Sequence, residues 1–287
     1  MHFLNSEHIS SNIRAAVTYF LGYEPSISEL KTAYIHALNK AQSSTIQTLK
    51  DDIYLEFNNQ RLVDLLVRRD VFSSEDVTHN KHILTLEQQN IVRSKFRAAR
   101  EILKNLNPNL HDLITMCVGS VACYHITCRD GGTVSCCIGL IWLSPGRYWQ
   151  PEFYAELLVH EFVHNSVFLD DMVNGIMPNI HLLNREDALV TSVIRKTRRG
   201  YDKSYHSVCV GAALIYFHHL LGNEAEVESF IPPVQRTLRE LEERDFEFRS
   251  KGEDILTDNG RKILREIKQF VETRDYDSVS SALKPTH

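Results

Sequence analysis

Eight residues constrain this chain more than any others: Leu157-Leu158-Val159-His160-Glu161-Phe162-Val163-His164. They set a His-Glu-x-x-His pattern inside an apolar run. Residues four apart on a helix lie on one face over successive turns, so both imidazoles can reach one metal ion. Glu161 sits beside them, where it can hydrogen-bond a metal-bound water or orient another ligand. Pro151 stands where a helix can begin, because its missing N–H costs nothing in the first turn. Leu157, Leu158, Phe162 and Val163 surround the polar triplet and predict a buried helix. Two histidines and a glutamate are costly there without partners. The competing reading is a polar patch satisfied by hydrogen bonds; metal binding explains the spacing as well as the residue types.

The rest of the chain predicts an α+β fold, predominantly α-helical, with a β-hairpin at about 120–143 ahead of the metal-binding helix. Helical spacing runs through 10–20, 26–49, 62–71 and 86–106, with Ser26 or Ser28 as an N-cap. Asn107-Pro108-Asn109 breaks the last of these. The segments 120–128 and 133–143 are rich in Val, Ile, Cys, Tyr and Thr. Arg129-Asp130-Gly131-Gly132 between them supplies turn residues. Beyond the metal helix the pattern predicts helices over 204–221, over 223–249 interrupted at Pro232-Pro233, and over 260–273, then a mobile polar tail over 276–287. The expected organisation is an N-terminal helical region, 1–118, packed as one unit with a metal-binding catalytic region, 119–287.

A net charge of −5 argues against a general nucleic-acid surface. No apolar run is long enough to span a bilayer, and the N-terminus lacks a signal-peptide pattern. The six cysteines show no C-x-x-C pair, so reduced thiols in a cytoplasmic protein are the expectation.

Two imidazoles need a third protein ligand beside them. Asp170 lies where some zinc proteases place one, although Val167 stands where their pattern has a glycine. Glu186 suits the proteases whose third ligand is a following glutamate. His206, at the start of an apolar helix, competes with the plainer reading of a satisfied core histidine. His218-His219 reads as surface or structural.

The stretch 151–221 resembles a divergent member of the HExxH-motif peptide-modification family, the 2-oxoglutarate-dependent peptide β-hydroxylases. Leu157 to His164 is similar to that family's metal helix. Arg195-Lys196-Thr197-Arg198-Arg199-Gly200 resembles its Trp-Arg-Pro-Asp-Pro-Arg-Pro loop, and Tyr205-His206-Ser207 its Leu-His-Gly. Ile194 replaces the Trp, the prolines are absent, and Ser207 replaces the Gly. The resemblance implies Fe(II) on His160, His164 and His206, 2-oxoglutarate held by Arg199 and Arg195, and Glu161 beside the metal. The implied substrate is a peptide or an amino-acid residue, including one borne on a carrier or leader peptide. Two other readings stand beside it. One is a zinc metallopeptidase with Glu161 as general base and Glu186 or His206 closing the site. The other is a non-catalytic metal-containing binding protein.

Overall fold

The computed structural model describes residues 1–126 and 130–285 of the protein. They form two compact units: Ser10–Asn165, and Met1–Ile9 together with the chain from Ser166 onward. The expected boundary at 118/119 therefore falls inside the first of these.

Helices dominate, at 65% of the residues, with few strands, so the fold is α+β and predominantly helical. The first elements are α1 (Ser6–Leu21), α2 (Leu30–Gln42), β1 (Tyr54–Glu56), α3 (Gln60–Arg68) and α4 (Ser74–Val77). The long helix α5 (Leu86–Leu106) and the shorter α6 (Pro108–Cys117) follow. The first turn of α5 is closed reciprocally: Thr85 accepts from Gln88 N and Gln88 from Thr85 N. Asn107 does more than break the helix. Its side chain caps α6 by accepting from Leu110 N, and Pro108 occupies the first turn.

Next come β2 (Ser120–Cys123), β3 (Gly131–Gly132) and β4 (Leu140–Leu143), which join β1 in a sheet of order β1-β2-β4-β3. The two main strands lie where the composition predicts them, but they do not form a hairpin. β2 pairs with β4 in parallel, Ser120 opposite Leu140 and Cys123 opposite Leu143. The antiparallel partner of β4 is β3, made from the two glycines read as a turn. The physical reason is visible in burial. Every residue of β2 and β4 is buried, the signature of a strand covered on both faces rather than of a half-solvated hairpin. A Cβ on Gly131 would lie 2.7 Å from Leu143 Cδ2 and 2.9 Å from the Trp142 carbonyl oxygen, so this edge admits only glycine. Residues 127–129, the end of the expected first strand and the first residue of the expected turn, lie outside the described residues.

The long helix α7 (Pro151–Asn174) follows; the division between the units falls within it and within α1. β5 (Val190–Thr191) and β6 (Arg198–Arg199) pair antiparallel, so the basic run ends in a short ribbon. α8 (Tyr201–Leu220) is buried almost all round, as expected of a central helix. It packs along α9 (Glu224–Ser250). A Cβ on Gly211 would come 2.6 Å from Val234 Cγ2, which shows how closely these two helices approach. Pro232 and Pro233 do not interrupt α9. Val227, Ile231, Val234, Leu238 and Leu241 bury one continuous face, offsetting the hydrogen bonds the prolines cannot make.

α10 (Asp258–Thr273) and α11 (Tyr276–Ala282) complete the chain. The expected mobile tail is folded as far as it is described. Asp275 caps α11 through Ser278 N, Tyr276 stacks on His219 with ring centres 3.6 Å apart, and Val279 and Leu283 are buried. Thr286 and His287 lie outside the described residues. Among the described residues no helix is long and apolar enough to cross a membrane.

Candidate metal centre

α7 begins at Pro151 and is buried along most of its surface. Tyr154, Ala155, Leu158, Val159, Phe162 and Val163 are each almost fully enclosed. Phe153, Leu157, His160 and His164 share one stripe of the helix and are only half-buried. The two imidazoles therefore stand on the least sealed face, with ring centres 5.2 Å apart and planes at 52°.

Glu161 is turned into the interior. Its side chain is 6% exposed, with Oε1 3.8 Å from His160 Nε2 and Oε2 lacking a hydrogen-bond partner among the described residues. Burial pushes its carboxyl up to about 7, against a smaller opposing pull from the Thr133 hydroxyl. A buried carboxylate oxygen without a hydrogen-bond partner carries a desolvation cost.

Asn165, which sequence reasoning passed over, fixes the backbone beside the histidines. Its Nδ2 donates to the Glu161 carbonyl at 3.0 Å and lies 3.4 Å from Thr133 Oγ1. Its Oδ1 accepts from Gly139 N at 2.6 Å. The available signal was an amide directly after His164 in an otherwise apolar run.

All three contenders for a third ligand belong to the unit that continues from Ser166. Asp170 is buried and engaged: His8 Nε2 lies 2.9 Å and Asn174 Nδ2 2.6 Å from its Oδ1. Glu186 is exposed in a single 3-10 turn. His206 is buried on the first turns of α8, its ring 4.4 Å from that of Phe168. Burial drives its imidazole down to about 4, so it is neutral at physiological pH, the protonation state in which an imidazole ligates a metal. The start of α8 is stitched in place around it. Ser204 Oγ donates to the Val190 carbonyl at 2.8 Å, and Ser207 Oγ accepts from Val193 N at 3.0 Å.

Arg199 is half-buried on β6 and Arg195 is exposed in the loop before it. Among the described residues neither guanidinium has an ion-pair partner. Arg198, by contrast, donates to the Leu189 carbonyl at 3.1 Å. His218 is stacked on Phe230 and His219 on Tyr276, both in packing roles.

Histidine nitrogens at this spacing suit a divalent transition ion, and the half-open stripe and orphaned Glu161 Oε2 fit a group bound there. His160 and His164 are brought together. Among the described residues no group of three or more His, Cys, Asp or Glu side chains that could hold a metal ion is formed. Comparison of the chain with known protein families and with curated proteins gives no match.

Proposed function

We propose that this protein is an Fe(II)/2-oxoglutarate-dependent oxygenase that hydroxylates a peptide or amino-acid substrate, with the ion held by His160, His164 and His206. The observation that carries the reading is the contrast among the three contenders. The buried imidazole of His206 is held neutral, Asp170 is occupied by His8 and Asn174, and Glu186 faces solvent. A neutral third ligand leaves the full charge of the ion uncompensated, which favours a dianionic co-substrate over water alone. Iron with 2-oxoglutarate supplies dioxygen activation and oxidation of a C–H bond. Arg199, which has no carboxylate partner among the described residues, takes the far carboxylate of that co-substrate with its planar fork, and Arg195 is the second choice. Glu161 holds or releases a proton at Oε2 beside the histidines and orients what binds there.

A zinc metallopeptidase is the second reading. What favours it is Glu161 itself, a carboxyl poised near neutrality with one oxygen that has no hydrogen-bond partner among the described residues, as a general base needs. Anaerobic reconstitution with Fe(II), followed by oxygen and 2-oxoglutarate, separates the two. The oxygenase produces succinate, slowly alone and faster with substrate, and the zinc form produces none. Peptide cleavage by the zinc form, with no succinate from well-loaded iron protein, would reverse the order. Zinc in purified protein decides nothing, because zinc outcompetes Fe(II) for such ligands.

A further inference from the structure

The half-open stripe of α7 does not stop at the histidines. Towards the start of the helix from His164, the successive positions on that face are His160, Leu157 and Phe153. Spacings of three and four residues keep neighbours on one stripe about 5–6 Å apart at Cβ. Trp149, just ahead of Pro151, continues the row. Its indole is half-buried and meets the Phe153 ring edge-on, with ring centres 4.8 Å apart and planes at 71°. The other apolar residues of these turns, Tyr154, Ala155, Leu158 and Val159, are enclosed. Three large apolar side chains in a row are thus left part-open beside the histidine pair, on a helix that seals the rest.

The indole is held in place. It lies against Gly146, where a Cβ would come 2.3 Å from Nε1 and 2.6 Å from Cδ1, so no larger residue fits beneath it. Trp149 N donates to the Gly146 carbonyl at 3.2 Å, and Lys95 Nζ donates to the Trp149 carbonyl at 2.5 Å. Tyr154 backs the indole, with ring centres 5.4 Å apart.

We infer that Trp149, Phe153 and Leu157 form the subsite that selects the substrate residue, and that it takes a leucine-like or phenylalanine-like side chain; the inference rests on the reading of His160 and His164 as metal ligands. Phe153 and Leu157 offer neither charge nor hydrogen bond, and the indole N–H is turned onto Gly146. A charged or hydroxylated side chain laid on the strip would shed water without gaining a partner. An aliphatic or aromatic one removes apolar surface from water on both sides of the contact. Leu157 and His160 are under one turn apart, about 4.5 Å along the helix axis. The residue that covers the strip is therefore the one brought beside the histidines.

The test uses full-length, zinc-loaded protein and needs no turnover. The probes are acetylated, amidated pentapeptides with Leu, Phe, Ser, Glu or Lys at the centre of four glycines. The readout is acrylamide quenching of tryptophan fluorescence. Of the two tryptophans in the chain, Trp142 is enclosed and Trp149 half-open, so the quenchable signal reports the strip. The Leu and Phe peptides should protect Trp149 at concentrations at least roughly tenfold below those of the Ser, Glu and Lys peptides. Phe153→Ala and Leu157→Ala should each bring that preference to within about threefold, whereas Ile27→Ala, at an exposed apolar residue elsewhere, should keep it. Equal protection by all the peptides, stronger protection by the Glu or Lys peptide, or a preference that survives in both strip variants overturns the assignment. Succinate release from the iron protein with the same peptides separates this inference from the oxygenase reading. Selective protection without succinate keeps the subsite and rejects the oxygenase; succinate stimulated equally by every peptide keeps the oxygenase and rejects the subsite.

Discussion

Glu161 and Asp170 are both buried acids on α7, and they are treated in opposite ways. Asp170 meets an imidazole and a side-chain amide on one oxygen and comes within 3.5 Å of Asn259 Nδ2 on the other. Glu161 keeps one oxygen without a hydrogen-bond partner among the described residues and a carboxyl raised to about 7. A saturated buried carboxylate earns its place by structure, because breaking its contacts costs stability. An unsaturated one costs stability as it stands, and such positions collect at sites that bind something. Arg199 belongs with Glu161 in this respect, and Arg198, tied to carbonyls, with Asp170.

The sharpest way to break this division is to remove ligands from each side of it. His160→Ala, His164→Ala and His206→Ala should each weaken Fe(II) or zinc binding by about a hundredfold or more, roughly 3 kcal/mol. Asp170→Asn and Glu186→Ala should leave the metal content measured by elemental analysis unchanged. Metal retained in His206→Ala and lost in Glu186→Ala would hand the site to the peptidase reading.

Glu161→Gln probes the unsatisfied acid by pH. The unfolded carboxyl gives up its proton near 4.5, and the folded one keeps it to about 7. The folded state holds the extra proton in that window, so stability falls as pH rises through it. In metal-free protein the Gln variant should match wild type at pH 4 and exceed it at pH 8 by on the order of 3 kcal/mol in denaturant unfolding. Equal stability at both pH values would mean that Glu161 is satisfied after all.

Arg199→Ala should raise the 2-oxoglutarate requirement by about one to two orders of magnitude, roughly 1.5–3 kcal/mol for a charge-assisted hydrogen bond, with metal content unaltered. Arg199→Lys should recover only part, since a point charge cannot pair both carboxylate oxygens. No change in either Arg199→Ala or Arg195→Ala would place the clamp elsewhere. The smallest effect belongs to the saturated acid. Asp170→Asn should cost about 1–3 kcal/mol of stability while leaving 2-oxoglutarate turnover intact; lost turnover in a stable variant would move Asp170 into the working set.

Much of this was legible from residues alone, and the failures share a cause. The start of α7 at Pro151, the bounds of α5 and the start of α10 within two residues follow from caps and apolar spacing, which are local. The pairing of β2 with β4 was not, because direction depends on what covers the strands. Their nearly continuous apolar character, broken only by Ser120, was the overlooked sign of parallel pairing. Pro232-Pro233 misled because local propensity lost to the buried face of α9. At the site, the histidine pair was readable from spacing. Asn165 and the fate of Asp170 were not, since both depend on partners distant in sequence, such as Gly139 and His8.

The most direct measurement is the visible spectrum of the anaerobic Fe(II) protein as 2-oxoglutarate is added. Chelation of a keto acid to ferrous iron produces a charge-transfer band that zinc cannot give. The account predicts that this band grows to saturation in wild type, requires more 2-oxoglutarate in Arg199→Ala, and is absent in His206→Ala. Fully iron-loaded wild-type protein that shows no band at any 2-oxoglutarate concentration would contradict it.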